Sequence, residues 1–209
     1  MKIDPAGWPF VGGALVVAAG VTLAFHSAVG VPFVILAGFF LFFFRDPSRV
    51  VTQGARAVLS PADGRVMVAG APTGEKSPPG DWQQITIFLS PMDVHVNRMP
   101  LAGCVREVRY HPGRFLPAYR ADAGDLNEHT EVWVDVGRQT IVVRQIVGIL
   151  ARRIVCRAKA GDVVQAGQRF GVMKFGSRMD VFVPVGATIR AKVGDRVVGA
   201  VSVIAELES

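Results

Sequence analysis

Ala158-Lys159-Ala160-Gly161-Asp162-Val163-Val164 recurs 33 residues later as Ala191-Lys192-Val193-Gly194-Asp195-Arg196-Val197-Val198. In each copy a Gly-Asp turn introduces a valine-rich strand. A duplicated hairpin of this kind predicts a barrel-sandwich with pseudo-twofold symmetry. The surrounding chain agrees. Beyond residue 50, Gly and Pro punctuate short runs rich in Val, Ile and Phe at residues 84–89, 131–136, 140–147 and 180–183. These read as strands, and no long stretch keeps a 3.6-residue period. The expected fold class is mainly β.

The N-terminus has another texture. Residues 9–25 carry no charge, His26-Ser27 interrupts, and residues 28–44 are again uncharged, ending in Phe39-Phe40-Leu41-Phe42-Phe43-Phe44. Each run makes about 26 Å of helix, slightly short of the ~30 Å hydrocarbon core, and one continuous helix would be far too long. The reading is a membrane-anchoring helical hairpin over residues 1–45, with Gly30 and Pro32 near the turn, followed by a β domain over residues 46–209. A signal peptide lacks a basic start beyond Lys2 and a clear cleavage site. A buried core hairpin is opposed by the phenylalanines and by the absence of charge between Asp4 and Arg45. Lys2 precedes the first run, while Arg45, Arg49 and Arg56 follow the second. The positive-inside rule therefore puts both ends, and all that follows, on the cytoplasmic side of the cell (inner) membrane.

The net charge is +6. Beside a membrane anchor, the partner this implies is an anionic lipid surface, which attracts each nearby Lys or Arg by about 1 kcal/mol. Nucleic acid is disfavoured, because the basic residues are dispersed and not interleaved with aromatics. Cys104 and Cys156 are the only cysteines. They form no metal-type spacing and read as structural thiols in a reducing compartment. No metal is expected.

Three segments carry chemistry. Ser60-Pro61-Ala62-Asp63-Gly64 is a turn bearing a carboxylate. In Ser90-Pro91-Met92-Asp93-Val94-His95-Val96-Asn97-Arg98, strand geometry puts Asp93, His95 and Asn97 on one face. Of the four histidines, His95 is the best general base. The third segment, Phe170-Gly171-Val172-Met173-Lys174-Phe175-Gly176-Ser177-Arg178, contains a Gly-Ser bond between the two repeats. A Gly-Ser pair is ordinarily a turn. It can also cleave itself, the serine hydroxyl attacking the glycine carbonyl before β-elimination splits the chain. Asp63, His95 and Ser177 together supply an orienting carboxylate, a base and a nucleophile.

At these residues the chain resembles the phosphatidylserine decarboxylases of the short bacterial and archaeal type. The matching pieces are Phe44-Arg45-Asp46-Pro47, Ser60 to Gly64, Asp93 to Arg98, Asn127-Glu128, Gln145-Ile146-Val147-Gly148 with Ala151-Arg152-Arg153-Ile154, and Arg169-Phe170-Gly171 through Arg178. The resemblance implies a proenzyme that cleaves itself between Gly176 and Ser177, giving a β chain of residues 1–176 and an α chain of residues 177–209 that stay associated. Ser177 becomes a pyruvoyl group, whose ketone forms a Schiff base with the substrate amine and serves as electron sink for loss of CO2. Phosphatidylserine would thus become phosphatidylethanolamine, within phospholipid biosynthesis. Asp63 and His95 would activate Ser177, while Ser90, Arg98 and Phe175 would contact substrate. Arg98 stands where longer relatives have a second histidine. Pairing of two copies stays open, as do two other readings: a non-catalytic lipoyl-like carrier or adaptor, and a pyruvoyl decarboxylase acting on a related substrate such as archaetidylserine.

Overall fold

The computed structural model describes residues 2–208 except 53, 55, 75, 150–153 and 175. The chain divides into two compact units, Met1–Ser48 and Arg49–Ser209. In the first, β1 (Lys2–Ile3) pairs with β2 (Arg45–Asp46), and a short 3-10 turn capped by Asp4 leads into α1 (Trp8–Ala24) and α2 (Ser27–Phe43). The contact between the helices uses small residues. Ala14, Ala18, Gly30 and Ala37 are buried, and a Cβ on Gly30 would overlap the Thr22 hydroxyl. Leu23 and Phe25 are 88% and 77% exposed. Helices with small residues inside and large apolar ones outside match a lipid surround better than water. Pro5–Ala24 is 20 residues long and apolar enough to cross a membrane, and Ser27–Phe43 is apolar but shorter. The turn falls at Phe25-His26, at the interruption between the two uncharged runs, while Gly30 and Pro32, expected near it, lie inside α2. His26 caps α2 by accepting the Ala28 N–H, and Gly30 serves the close helix contact.

The second unit is built from β3 (Ala57–Leu59), β4 (Gly64–Gly70), β5 (Trp82–Leu89), β6 (Val96–Arg98), β7 (Gly103–His111), α3 (Ala123–Leu126), β8 (His129–Val136), β9 (Gln139–Val147), β10 (Ile154–Cys156), β11 (Val163–Val164), β12 (Arg169–Met173), β13 (Ser177–Pro184), β14 (Thr188–Ile189), β15 (Arg196–Val197) and β16 (Val203–Glu206). All its strand pairs are antiparallel. The large sheet runs β11-β7-β8-β9-β13-β5-β4-β15, and two three-stranded sheets run β10-β12-β6 and β14-β16-β3. One core of Val, Ile, Leu and Met lies among them. The unit is mainly β, as expected, but its sheets stay open and do not close into a barrel.

The repeat is visible in the strand order. The large sheet reads as two similar halves meeting between β9 and β13. The N–H groups of Lys159 and Lys192 each donate to the aspartate three residues on, at 2.8 Å. Gly161 and Gly194 each donate to a valine carbonyl, of Val105 and Val66, at 2.8 Å. Gly64 and Gly103 hold equivalent places, where a Cβ would overlap the Phe88 or Asp135 carbonyl oxygen. In one half, β8 turns straight into β9 through Gly137, at φ +63°. In the other half the matching strands β5 and β13 are also paired end to end, yet no turn joins them. The Gly176-Ser177 bond lies where that turn would be.

Candidate active site

Ser177 opens β13, in register with Leu89 on β5 and Val147 on β9. That register points its side chain into the core face, and the residue is wholly buried. Its Oγ has no hydrogen-bond partner among the described residues. Leaving a buried hydroxyl unpaired costs about 1–3 kcal/mol, so the position asks for a functional reason.

Gly176 has φ +78°, a region that favours glycine. Its N–H donates to His95 Nε2 at 3.3 Å. The other ring nitrogen, Nδ1, lies 2.9 Å from the Asp93 carbonyl oxygen. A carbonyl can only accept, so Nδ1 carries the proton and Nε2 keeps the lone pair that receives the Gly176 N–H, in the peptide just before the Gly176-Ser177 bond. The fold thereby holds His95, itself wholly buried, as the basic tautomer.

The Asp93 side chain pins the turn that supplies this carbonyl. Its Oδ2 accepts from both the N–H and the O–H of Ser90, and its Oδ1 accepts from Arg196, all at 2.8 Å. Ser90, expected to touch substrate, builds this turn. The structure does not bring Asp63 to His95. Asp63 accepts from Arg49 at 2.7 Å and from the Gly199 N–H at 2.8 Å, tying together three distant segments. Arg98 is buried in β6 and donates to the Gly167 carbonyl at 3.2 Å. Phe175 lies outside the described residues.

Gly148, just past β9, was not expected in the site. A Cβ there would overlap the Gly176 carbonyl oxygen, so that carbonyl packs directly on the Gly148 backbone. The same place opens onto an apolar cleft of about 380 Å³, walled by Phe88, Pro117, Tyr119 and Ile149. No charged side chain lines it among the described residues. On the opposite face of the sheet, Arg178 is buried and forks onto Asp180 at 2.7 and 2.9 Å, fixing the start of β13. Arg144 grips Glu131 in the same layer at 2.6 Å.

One further cluster has the residue types of a metal site. His111, His129 and Glu131 bring donor atoms within 4.8 Å of one another. Its geometry does not converge, however. The imidazoles stack at 4.5 Å and 15°, so their in-plane lone pairs run side by side. Arg144 and the Trp133 N–H already hold the Glu131 carboxylate.

A family model described as phosphatidylserine decarboxylase matches residues 36–205. The chain is 40% identical over 207 residues to the phosphatidylserine decarboxylase proenzyme of Ralstonia nicotianae, covering 97% of this chain and 94% of that one. It is 41% identical over 201 residues to the proenzyme of that name from Nitrosomonas europaea, with 96% and 93% covered. For the one from Symbiobacterium thermophilum the identity is 43% over 202 residues, with 96% and 94% covered.

Proposed function

This chain belongs to the phosphatidylserine decarboxylase family, and from that premise we propose that it cleaves itself at Gly176-Ser177 and then converts phosphatidylserine to phosphatidylethanolamine and CO2. The observation that carries the reading is the His95 lone pair held on the Gly176 N–H, in the peptide just before the Gly176-Ser177 bond, together with a Ser177 hydroxyl that is buried and, among the described residues, unpaired. In the first step the Ser177 Oγ–H gives up its proton, Oγ bonds to the Gly176 carbonyl carbon, and the C–N bond breaks with the proton going to nitrogen. His95 Nε2 takes the proton from Oγ. In the second step a base removes the Ser177 Cα–H, the Cβ–Oγ bond breaks, and Gly176 leaves as a carboxylate. A non-catalytic carrier would leave the unpaired hydroxyl and the oriented imidazole without purpose.

The residues present fit a pyruvoyl group at position 177. The position is a serine, it is buried, and it borders an apolar cleft. Such a group supplies an electron sink for the loss of CO2. The chain's own part is to hold that end still, through β5, β9 and the Arg178–Asp180 pair. The cleft offers an apolar wall to the glycerol and acyl portion of a lipid, and the apolar helices of residues 1–45 hold the enzyme at the cytoplasmic face of the membrane. Denaturing electrophoresis and mass measurement of the purified protein, with an assay of CO2 release from phosphatidylserine, test the reading. Two fragments, the smaller beginning at residue 177 with a blocked terminus, are expected together with CO2 release. A single uncleaved chain that still decarboxylates would overturn it.

A further inference from the structure

Two buried amides lie one step below the scissile bond. Gln145 stands opposite Met179, two residues along β9 from the Val147–Ser177 pair and on the same face. Asn97 follows His95 by two residues. Gln145 Nε2 donates to Asn97 Oδ1 at 2.7 Å, and both side chains are wholly buried. This leaves Asn97 Nδ2 and Gln145 Oε1 without partners among the described residues. Turning both amides over exchanges the atoms but still leaves one N–H and one C=O unpaired. The fold makes room for them. Gly171 on β12 faces Asn97, and a Cβ there would meet Gln145 Nε2 at 2.6 Å. An apolar pair of similar shape would carry no such penalty in this core.

An unpaired donor beside an unpaired acceptor matches a water molecule, which offers both. Self-cleavage, on which this inference rests, consumes one. After Gly176 leaves, residue 177 carries a C=C–NH2 group, which shifts a proton to become CH3–C=NH. Water then adds at that carbon and ammonia departs, so that C=NH and H2O become C=O and NH3, with no oxidant or reductant. Ser177 is wholly buried, so a water already held in the core stands closer to this step than one that has to enter through an apolar cleft. We propose that Asn97 and Gln145 bind that water and present it to residue 177.

The test compares wild type with Asn97→Leu and Gln145→Glu. Protein is sampled during maturation and reduced with borohydride, and the start of the small fragment is read by mass spectrometry. A ketone at residue 177 reduces to a lactyl end, and its nitrogen-bearing precursor to an alanyl end. Cleavage itself reports that a variant has folded, because His95 and Ser177 are untouched. Both variants should cleave at the normal rate but accumulate alanyl ends. Conversion in Asn97→Leu should slow by on the order of tenfold for each hydrogen bond lost, and less in Gln145→Glu, which keeps an acceptor and the volume. Lactyl ends formed at the wild-type rate in Asn97→Leu would overturn the proposal. So would failure of both variants to cleave while circular dichroism shows them folded, since the pair would then act before the chain is cut. A wild-type chain that never yields a lactyl end would instead remove the self-cleaving decarboxylase reading beneath it.

Discussion

His95 works through a lone pair whose direction is set by a main-chain carbonyl, and the consequences can be tested one residue at a time. Ser177→Ala has no hydroxyl to attack with. It should remain a full-length chain of 22.4 kDa without decarboxylase activity, and fragments at residue 177 in this variant would refute the nucleophile. His95→Gln can still reach the Asp93 carbonyl but has no basic nitrogen. Its cleavage, followed by gel densitometry, should slow by about 10²–10⁴. Gly148→Ala places a methyl group against the Gly176 carbonyl oxygen. The protein should fold, as judged by circular dichroism, and remain largely uncut; cleavage at the normal rate would show that the carbonyl does not rest there. Ser177 and His95 could be proposed from the sequence because nucleophile and base are matters of residue type. The Asp93 carbonyl could not, because every residue has one. Asp63 looked like the orienting carboxylate because sequence does not reveal that Arg49 and Gly199 reach it first.

The strands were legible as elements because alternation of Val and Ile leaves a period of two. The interruption at His26-Ser27 was legible, but the roles of Gly30 and Pro32 were not, because Gly and Pro signal turns in water, while Gly30 here serves a helix contact and Pro32 is accommodated inside α2. The burial of the other face of the large sheet was not legible, since charged residues such as Arg178, Asp180, Arg144 and Glu131 carry no sequence sign of being buried. They are buried pairs. Asp180→Ala would strand the Arg178 charge and should cost about 3–5 kcal/mol of stability by urea denaturation. The same layer sets an acid limit. Burial disfavours the charged form of His129 and holds its pKa at about 4 against 6.5, although the Asn127 carbonyl pulls the other way. The unfolded chain takes up this proton near pH 6.5 and the folded one only near 4. The unfolded state therefore binds more protons in that window, and stability falls as the pH drops through it. Tm should decline from pH 6.5 toward 4, and His129→Asn should flatten part of that slope. An identical slope in the variant would count against His129 as its source.

At the scale of the whole molecule, the unit Arg49–Ser209 contains the nucleophile, the base and the strands that hold them. A protein starting near Arg49 should therefore cleave itself, yet sediment with phosphatidylserine vesicles less than the full chain does. Full-chain behaviour in both assays would argue against the apolar helices as the anchor. After cleavage the small fragment still supplies β13 between β9 and β5, as well as β15 beside β4. The two fragments should co-elute in gel filtration and separate only in denaturant. The palindromic sheet was foreshadowed by the Gly-Asp repeat, because the two turns are local. The opened end at Gly176 was not, because it depends on which strands lie side by side.

That opened end also governs when in its life the protein becomes reactive. His95 and Gly176 are 81 positions apart, and contacts across such separations close late in folding. A nascent chain leaving the ribosome has neither the aimed imidazole nor the seated carbonyl. Under the proposed self-cleavage it would carry an ordinary serine past the free amines of the cell and acquire its electrophile only when β13 has docked between its neighbours. The proposed cut would thus serve as a timestamp, so that a chain stalled or misfolded on the way is never armed.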